Sequence, residues 1–187
     1  MPPKFNVIVA ACENKGIGIK GDLPWRLKKE MAHFTKMTSL TTNDERKNAV
    51  IMGRLTWESI PPKYKPLKGR LNVIISKTLK ETKYDDAVVF DSLNNALNKL
   101  AQPPYTNKIE NFWIIGGAAL YKEAVLSDLC YRIYITKINK SFECDTFFPD
   151  IPPTFVQVSD NEVPTGIQEE NGLTYEFKVY ERFIRFD

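Results

Sequence analysis

Residues 112–125 read FWIIGGAALYKEAV, and this stretch decides the fold because it joins a strand to a helix through two glycines. The apolar run at 112–115 is typical of a buried strand, and residues 118–125 predict a helix. The Gly116-Gly117 pair between them predicts a tight turn. A strand followed at once by a helix is the repeating unit of an α/β sheet whose strands are mainly parallel.

The same pattern extends along the chain in both directions. Further buried strands are predicted at residues 5–12, 49–52, 71–76 and 87–90. Further helices are predicted at residues 27–38, 55–60 and up to Leu100, the last with Ser92 as its N-cap. Beyond the helix at 118–125, alternating apolar and polar residues predict strands with one solvent-exposed face at 131–138, 155–158 and 174–183. We therefore expect one domain over residues 1–187, with a mainly parallel sheet that ends in an antiparallel C-terminal hairpin.

Composition excludes several classes of protein. The chain has 187 residues, 43% of them hydrophobic and 26% charged, which is typical of a folded globular domain. A net charge of +3 is too small to predict nucleic-acid binding but suits a small anionic ligand. Cys12, Cys130 and Cys144 form no CxxC pair, which argues against a disulfide scaffold or a metal site and favours a reducing compartment. No apolar run approaches the roughly 18 residues of a membrane span, so a cytoplasmic protein is expected.

The helix at 27–38 contains a carboxylate in an unusual place. Leu27, Met31 and Phe34, followed by Met37 or Thr38, repeat at helical spacing and predict one apolar stripe. Glu30 falls inside this stripe. Burying an unpaired carboxylate costs several kcal/mol or makes it bind a proton. Two interpretations remain open from spacing alone: a boundary residue that reaches water, or an acid in an apolar active-site pocket.

A glycine-rich segment follows the first strand. Residues 16–21 (GIGIKG) match the dinucleotide-binding pattern GxGxxG. That pattern requires a helix that opens within it, so that the helix N-terminus meets the pyrophosphate. Residues 22–25 (DLPW) cannot form this helix, so we interpret the segment as a mobile loop beside the sheet, able to cover a ligand.

Three strand ends are better candidates for phosphate binding than this glycine-rich segment. Residues 53–56 (GRLT) and 116–119 (GGAA) each join a strand to a helix, and such junctions expose backbone N–H groups at the positive end of the helix dipole. Ser76-Lys77 ends a third strand with a hydroxyl and a cation. Ligands collect at the carboxyl ends of strands in open α/β sheets, so three such ends predict a nucleotide with several phosphates.

Taken together, these features resemble dihydrofolate reductases, most closely the eukaryotic enzymes, over almost the whole chain. The stretches that carry the resemblance are GIG at 16–18, GDLPW at 21–25, VIMGR at 50–54 with Thr56-Trp57, PLKGR at 66–70, WIIGG at 113–117 with Tyr121, and DTFFP at 145–149. The resemblance implies an eight-stranded, mainly parallel sheet and a cis Gly116–Gly117 bond. It also implies a monomer that transfers hydride from NADPH to C6 of dihydrofolate and a proton to N5, supplying one-carbon metabolism for thymidylate and purine synthesis, and that is a target of antifolates.

The resemblance also implies roles for individual residues. Glu30 would bind the pterin and support its protonation, Thr136 would hydrogen-bond Glu30, and Trp25 and Leu23 would wall the pocket. The other implied substrate-binding residues are Ile8, Met31, Phe34, Ser59, Ile60, Leu67, Arg70 for the glutamate tail, Ile115 and Tyr121. The implied NADPH-binding residues are Ala10, Gly16, Ile17, Gly18, Gly21, Asp22, Gly53, Arg54, Leu55, Thr56, Ser76, Lys77, Thr78, Gly116, Gly117, Ala118, Ala119, Leu120 and Tyr121.

Three departures from the family pattern and two rival functions accompany this interpretation. The segment Trp25-Arg26-Leu27 is one residue shorter than its counterpart in the vertebrate enzymes, at the start of the helix. Leu55 stands where the family often has lysine, and Met31 stands where the vertebrate enzymes have an aromatic ring. One rival is a reductase of the same fold that acts on a riboflavin-pathway precursor, which has no glutamate tail for Arg70. The other rival is a nucleotide- or RNA-binding module without turnover, but no basic stripe interleaved with aromatic residues supports it.

Overall fold

A computed structural model describes residues 1–183, in which eleven strands, four α-helices and one 3-10 helix form. The strands are β1 (Phe5–Ala11), β2 (Gly16–Gly18), β3 (Lys47–Gly53), β4 (Arg70–Ile75), β5 (Ala87–Phe90), β6 (Ile109–Gly116), β7 (Cys130–Ile138), β8 (Thr146–Phe147), β9 (Phe155–Val158), β10 (Ile167–Glu170) and β11 (Leu173–Arg182). The helices are α1 (Lys28–Ser39), α2 (Arg54–Ser59), the 3-10 turn Pro62–Tyr64, α3 (Leu93–Leu100) and α4 (Ala118–Leu126).

One large sheet organises these elements. Eight strands follow the order β10-β11-β7-β1-β6-β3-β4-β5, and β9 pairs with β11 beside this path. The six strands from β7 to β5 run parallel, whereas β11 is antiparallel to β7, β9 and β10. The prediction of a mainly parallel sheet with an antiparallel C-terminal hairpin is therefore confirmed.

Alternating side chains of the central strands form two apolar cores. Along β3, Ile51 packs with the core of α3 and α4, whereas its neighbours Val50 and Met52 pack with residues of α1 and α2. Successive residues of a strand point to opposite faces, so helices cover both faces of the sheet. Both-sided burial explains why these strands read as continuous apolar runs rather than alternating ones. Among residues 1–183, no helix is long and apolar enough to cross a membrane.

The amino end of α1 is held by the C-terminal hairpin. Its N-cap residue, Leu27, offers no side-chain hydrogen bond. Instead, the Glu170 carboxylate accepts hydrogen bonds from the backbone N–H groups of Lys28 (2.6 Å) and Lys29 (2.8 Å). Residues 171–172 both have positive φ and turn the chain between β10 and β11. The hairpin thereby satisfies two otherwise unpaired N–H groups and fixes the helix that carries the candidate acid.

Element boundaries agree closely with the sequence predictions, with a few corrections. Ser92 caps α3 as predicted, because its hydroxyl oxygen accepts from the Asn95 N–H at 3.0 Å. The segment at 16–21 is not simply a loop: β2 pairs with β8 in a separate two-stranded sheet. The sequence also gave no sign of β10. The single domain predicted for 1–187 includes residues 184–187, which lie outside the described part of the chain.

The apolar stripe predicted for α1 is wrong at one position. Met31 is 53% exposed, whereas His33 is buried and stacks on Phe177 of β11 with ring centroids 4.0 Å apart. The helix therefore buries a second flank against β11, a contact that helical spacing alone does not reveal. Burial lowers the pKa of His33 to about 4, with Lys36 acting in the same direction.

Candidate functional site

The carboxylate of Glu30 lies at the centre of the candidate site. Its side chain comes from α1 and is 6% exposed, so the interpretation as a boundary residue that reaches water is wrong. The Thr136 hydroxyl of β7 donates to Glu30 Oε1 at 3.1 Å. Burial raises the pKa of Glu30 to about 7, and the bond from Thr136 opposes this rise. Near neutral pH, this acid is therefore present in both its protonated and its ionised form.

Apolar side chains on the same face of the sheet surround this region. Five of the eleven predicted substrate residues join one cluster on the α1 and α2 side: Ile8, Phe34, Ile60, Leu67 and Ile115. All except Ile8 are only half-buried, so they present apolar surface to a ligand. Two predicted members do not join the cluster: Met31 is largely exposed, and Ser59 is exposed with its hydroxyl donating to the Thr56 carbonyl at 2.7 Å.

A third cluster contains Trp25, which is 4% exposed. Its ring packs against Phe142 at 5.6 Å, and the half-buried Leu23 and Ala10 join the same cluster. Core packing therefore accounts for the ring of Trp25. It does not account for Nε1, which is buried and has no hydrogen-bond partner among residues 1–183. A buried donor of this kind is suited to a bound water or ligand.

Arg70 is buried, which the sequence alone did not indicate. It is 5% exposed, and its guanidinium donates to the Thr38 hydroxyl at 2.9 Å and to the Lys68 carbonyl at 3.0 Å. None of the ion pairs among residues 1–183 includes it. Burial lowers its pKa. A buried guanidinium without a carboxylate partner is costly, so this site favours an anionic ligand group.

The three predicted strand ends lie side by side. Strands β6, β3 and β4 are neighbours, and their registers pair Met52 with Gly116 and Gly53 with Ile75. A Cβ added at Gly116 or at Gly117 would lie 3.4 Å from the Thr56 hydroxyl oxygen. The Gly116–Gly117 bond is cis, as the resemblance implies. At this carboxyl edge, the backbone of the glycine turn therefore lies beside the Thr56 hydroxyl.

The amino terminus of α4 adds hydrogen-bond donors to this edge. The first intrahelical bond runs from the Tyr121 N–H to the Gly117 carbonyl at 2.9 Å. The N–H groups of residues 118–120 precede it and are available to an anion. Ala118 is half-buried and Ala119 exposed, whereas Leu120 is buried in the core. The buried Tyr121 donates its hydroxyl to the Ile8 carbonyl at 2.8 Å, so its side chain supports the site from within.

The predicted phosphate-binding side chains differ in how free they are. Arg54 pairs with Glu58 at 2.9 Å, a contact that was not predicted from the sequence although the two residues lie one helical turn apart. Lys77 is exposed and joins none of the ion pairs among residues 1–183. Ser76 accepts from the Thr78 N–H at 3.2 Å, which orders this short turn. Leu55 is 72% exposed and offers no polar contact from its side chain.

The remaining predicted cofactor residues follow β1. Gly16, Ile17 and Gly18 form β2, whose glycines are buried and whose isoleucine is half-buried. Gly21 and Asp22 are exposed at the next turn, where Asp22 pairs with Arg26. The contact of these two residues with a cofactor stays a prediction.

Comparison with known proteins gives a consistent result. The sequence profile of the dihydrofolate reductase family matches residues 4–182. A dihydrofolate reductase from Aedes albopictus is 49% identical over 181 residues, covering 96% of this chain and 97% of that protein. One from Drosophila melanogaster is 46% identical over 96% of this chain and 98% of its own length. The solved structure of Schistosoma mansoni dihydrofolate reductase superposes with a TM-score of 0.86 at 40% identity, covering 97% of this chain and all of that one.

The raised pKa of Glu30 predicts a pH-dependent effect on stability. Because its folded-state pKa of about 7 exceeds the ordinary 4.5, its favourable contribution is complete below pH 4.5 and is lost as pH rises through 7. Glu30→Gln removes this loss. Urea unfolding should therefore show the variant gaining on the order of 3 kcal/mol relative to the parent between pH 4.5 and pH 8.5.

The matched control for this experiment is Glu169→Gln, which changes the same charge at an exposed position. Its difference from the parent should stay nearly constant with pH. A constant difference for Glu30→Gln as well would contradict the raised pKa.

Proposed function

This chain belongs to the dihydrofolate reductase family and is an oxidoreductase, and we propose that it reduces 7,8-dihydrofolate to tetrahydrofolate with NADPH. Hydride goes to C6 and a proton to N5. The observation that carries the proposal is a buried carboxylic acid whose pKa is raised to about 7 beside an apolar wall. We further propose that the enzyme is a cytoplasmic monomer that supplies one-carbon metabolism for thymidylate and purine synthesis.

Glu30 contributes recognition and proton supply. Ionised, its two oxygens accept hydrogen bonds from N3 and the 2-amino group of the pterin. Protonated, it holds a proton that an ordered water passes toward N5. A pKa near the working pH suits both tasks, because neither form is rare. Thr136 orients the carboxylate through its 3.1 Å bond. Trp25 and Leu23 wall the pocket, and the unpartnered Nε1 of Trp25 is a donor for the ordered water.

The carboxyl edge fits the cofactor. NADPH supplies the hydride when it is bound. Gly116 and Gly117 carry no side chains beside Thr56 and so allow the pyrophosphate to approach the backbone, and the N–H groups of residues 118–120 donate to it. Lys77, the exposed cation beside Ser76, suits the 2′-phosphate that distinguishes NADPH from NADH. Leu55 cannot supply a second cation for the phosphates. Arg54 can supply it only if its ion pair with Glu58 breaks.

Arg70 supports a folate rather than a riboflavin precursor as substrate. Its buried guanidinium pairs with no carboxylate of residues 1–183, and a planar guanidinium binds a carboxylate through two parallel hydrogen bonds. The glutamate tail of dihydrofolate provides that carboxylate, and a riboflavin precursor does not. The non-catalytic module is disfavoured because the matched relatives are enzymes by name and this chain aligns with them over nearly its full length.

The direct test of the proposal is an activity assay. The purified protein is mixed with NADPH and dihydrofolate, and the loss of reduced-nicotinamide absorbance is followed with and without methotrexate. Rapid oxidation that methotrexate blocks is the expected result. Binding of NADPH without oxidation would retain the fold and overturn the substrate, and a riboflavin precursor would then be assayed in its place.

Replacing Glu30 should separate binding from proton supply. We expect Glu30→Gln to bind NADPH normally but to lose about 10²- to 10⁴-fold in kcat/KM at neutral pH. The loss should be smaller at acid pH, where the substrate arrives already protonated. Steady-state rates from pH 5 to pH 9 measure this, with Glu169→Gln as the control. Full activity of Glu30→Gln at pH 7.5 would refute the role assigned to Glu30.

Replacing Arg70 should affect only the substrate. Arg70→Leu should raise the KM for dihydrofolate about 10- to 100-fold, because a charge-assisted hydrogen-bonded pair is lost, and should leave NADPH affinity nearly unchanged. Lys68→Leu, an exposed cation two residues away, is the matched control. Circular dichroism and NADPH titration establish that each variant is folded. An unchanged KM in a folded Arg70→Leu variant would contradict the assignment of Arg70 to the glutamate tail of dihydrofolate.

A further inference from the structure

Two cysteines that the proposed reaction does not use meet beside β2. Cys12 directly follows β1, and Cys144 lies shortly before β8. Both belong to the apolar cluster that contains Trp25, in which Cys12 is 5% exposed and Cys144 is half-buried. The Cys12 thiol donates to Asn14 Oδ1 at 2.7 Å. The N–H of Gly16 donates to the same oxygen at 3.2 Å, so the Cys12 side chain points toward the start of β2.

Cys144 approaches the same place from the other segment. A Cβ added at Gly16 would lie 2.3 Å from Cys144 Sγ and 3.0 Å from Asn14 Oδ1. Only glycine at position 16 therefore lets the Cys144 sulfur rest against this backbone, next to the oxygen that binds the Cys12 thiol. Burial raises the pKa of the Cys144 thiol, and the charge and hydrogen bond of the adjacent Cys12 thiol raise it further. Both thiols therefore lie beside the same Asn14 oxygen and the Gly16 backbone.

We propose that Cys12 and Cys144 are a redox-modification site, at which a peroxide forms a disulfide that ties residues 12–22 to residues 142–148. The more accessible Cys144 loses its proton, and its thiolate attacks one peroxide oxygen, which breaks the O–O bond and gives a sulfenic acid and hydroxide. The Cys12 thiolate then attacks that sulfur, the S–S bond forms and hydroxide leaves. The two thiols lose two electrons to the peroxide, and the two protons that they release convert the two hydroxides to water.

The bond would restrain a segment that is otherwise held by hydrogen bonds. Strand β2 pairs with β8 through Gly16 and Phe147, and the Asp145 N–H donates to the Gly18 carbonyl at 2.9 Å. Such contacts break and re-form as a loop opens, whereas a covalent link does not. Since β2 carries residues predicted to contact the cofactor, the link should slow turnover by restricting the opening of this segment.

The test uses the full chain and the chemistry of the thiols. Reduced protein is treated with hydrogen peroxide, its remaining thiols are alkylated, and its peptides are mapped by mass spectrometry. We expect the loss of two hydrogens, one linked pair of peptides containing Cys12 and Cys144, and an alkylatable Cys130 after denaturation. Turnover should fall several-fold and recover with dithiothreitol. Cys130 is fully buried at the start of β7 and serves as the internal control.

Two variants complete the experiment. Cys144→Ser should form no link and should be insensitive to mild oxidation, whereas Cys130→Ser should behave like the parent. The proposal would be overturned if Cys12 and Cys144 were both still alkylated after oxidation. It would also be overturned if Cys144 alone were oxidised, to a sulfinic or sulfonic acid. A quantitative link that leaves turnover unchanged would overturn the claimed restraint on the segment. Because the peptide map does not depend on any reaction of the enzyme, failure of the proposed activity would leave this result readable.

Discussion

The burial of one carboxylate in an apolar setting is the constraint on which the proposed function depends. Glu30 would be ionised in water, but its 6% exposure raises the pKa to about 7. The single bond from Thr136 only partly compensates for lost hydration. Much of the architecture serves this placement: β7 supplies the threonine, β3 packs against α1, and the Glu170 carboxylate holds the start of that helix.

The sheet topology places the two halves of the chemistry side by side. The acid lies near β7 and β1, whereas the glycine turn and the helix N-termini lie at the ends of β6 and β3. Strand β1 runs between β7 and β6, so the acid and the proposed cofactor edge are only one strand apart. Tyr121 ties these parts together by donating from α4 to the Ile8 carbonyl of β1. The parallel strand order thus brings the proposed proton source and the proposed anion site close together on one sheet.

Local patterns predicted most of the fold because they depend on short-range physics. The Gly116-Gly117 turn and the Ser92 cap are properties of adjacent residues, and both were predicted correctly. Contacts between distant segments were not predictable in this way. The bonds from Glu170 to α1 and the stacking of His33 on Phe177 depend on how the C-terminal hairpin docks. The burial of Arg70 likewise depends on the packing of α1 against β4 through Thr38.

The most direct measurement is the titration of the Glu30 carboxyl itself. Carbon-13 NMR of protein labelled at glutamate side-chain carboxyls follows each group from pH 4 to pH 9, and comparison with Glu30→Gln identifies the signal of Glu30. The account predicts that this signal titrates near pH 7, about where burial sets the pKa. A midpoint near the ordinary value of 4.5 would contradict it, because Glu30 would then hold no proton at neutral pH to supply to a bound pterin.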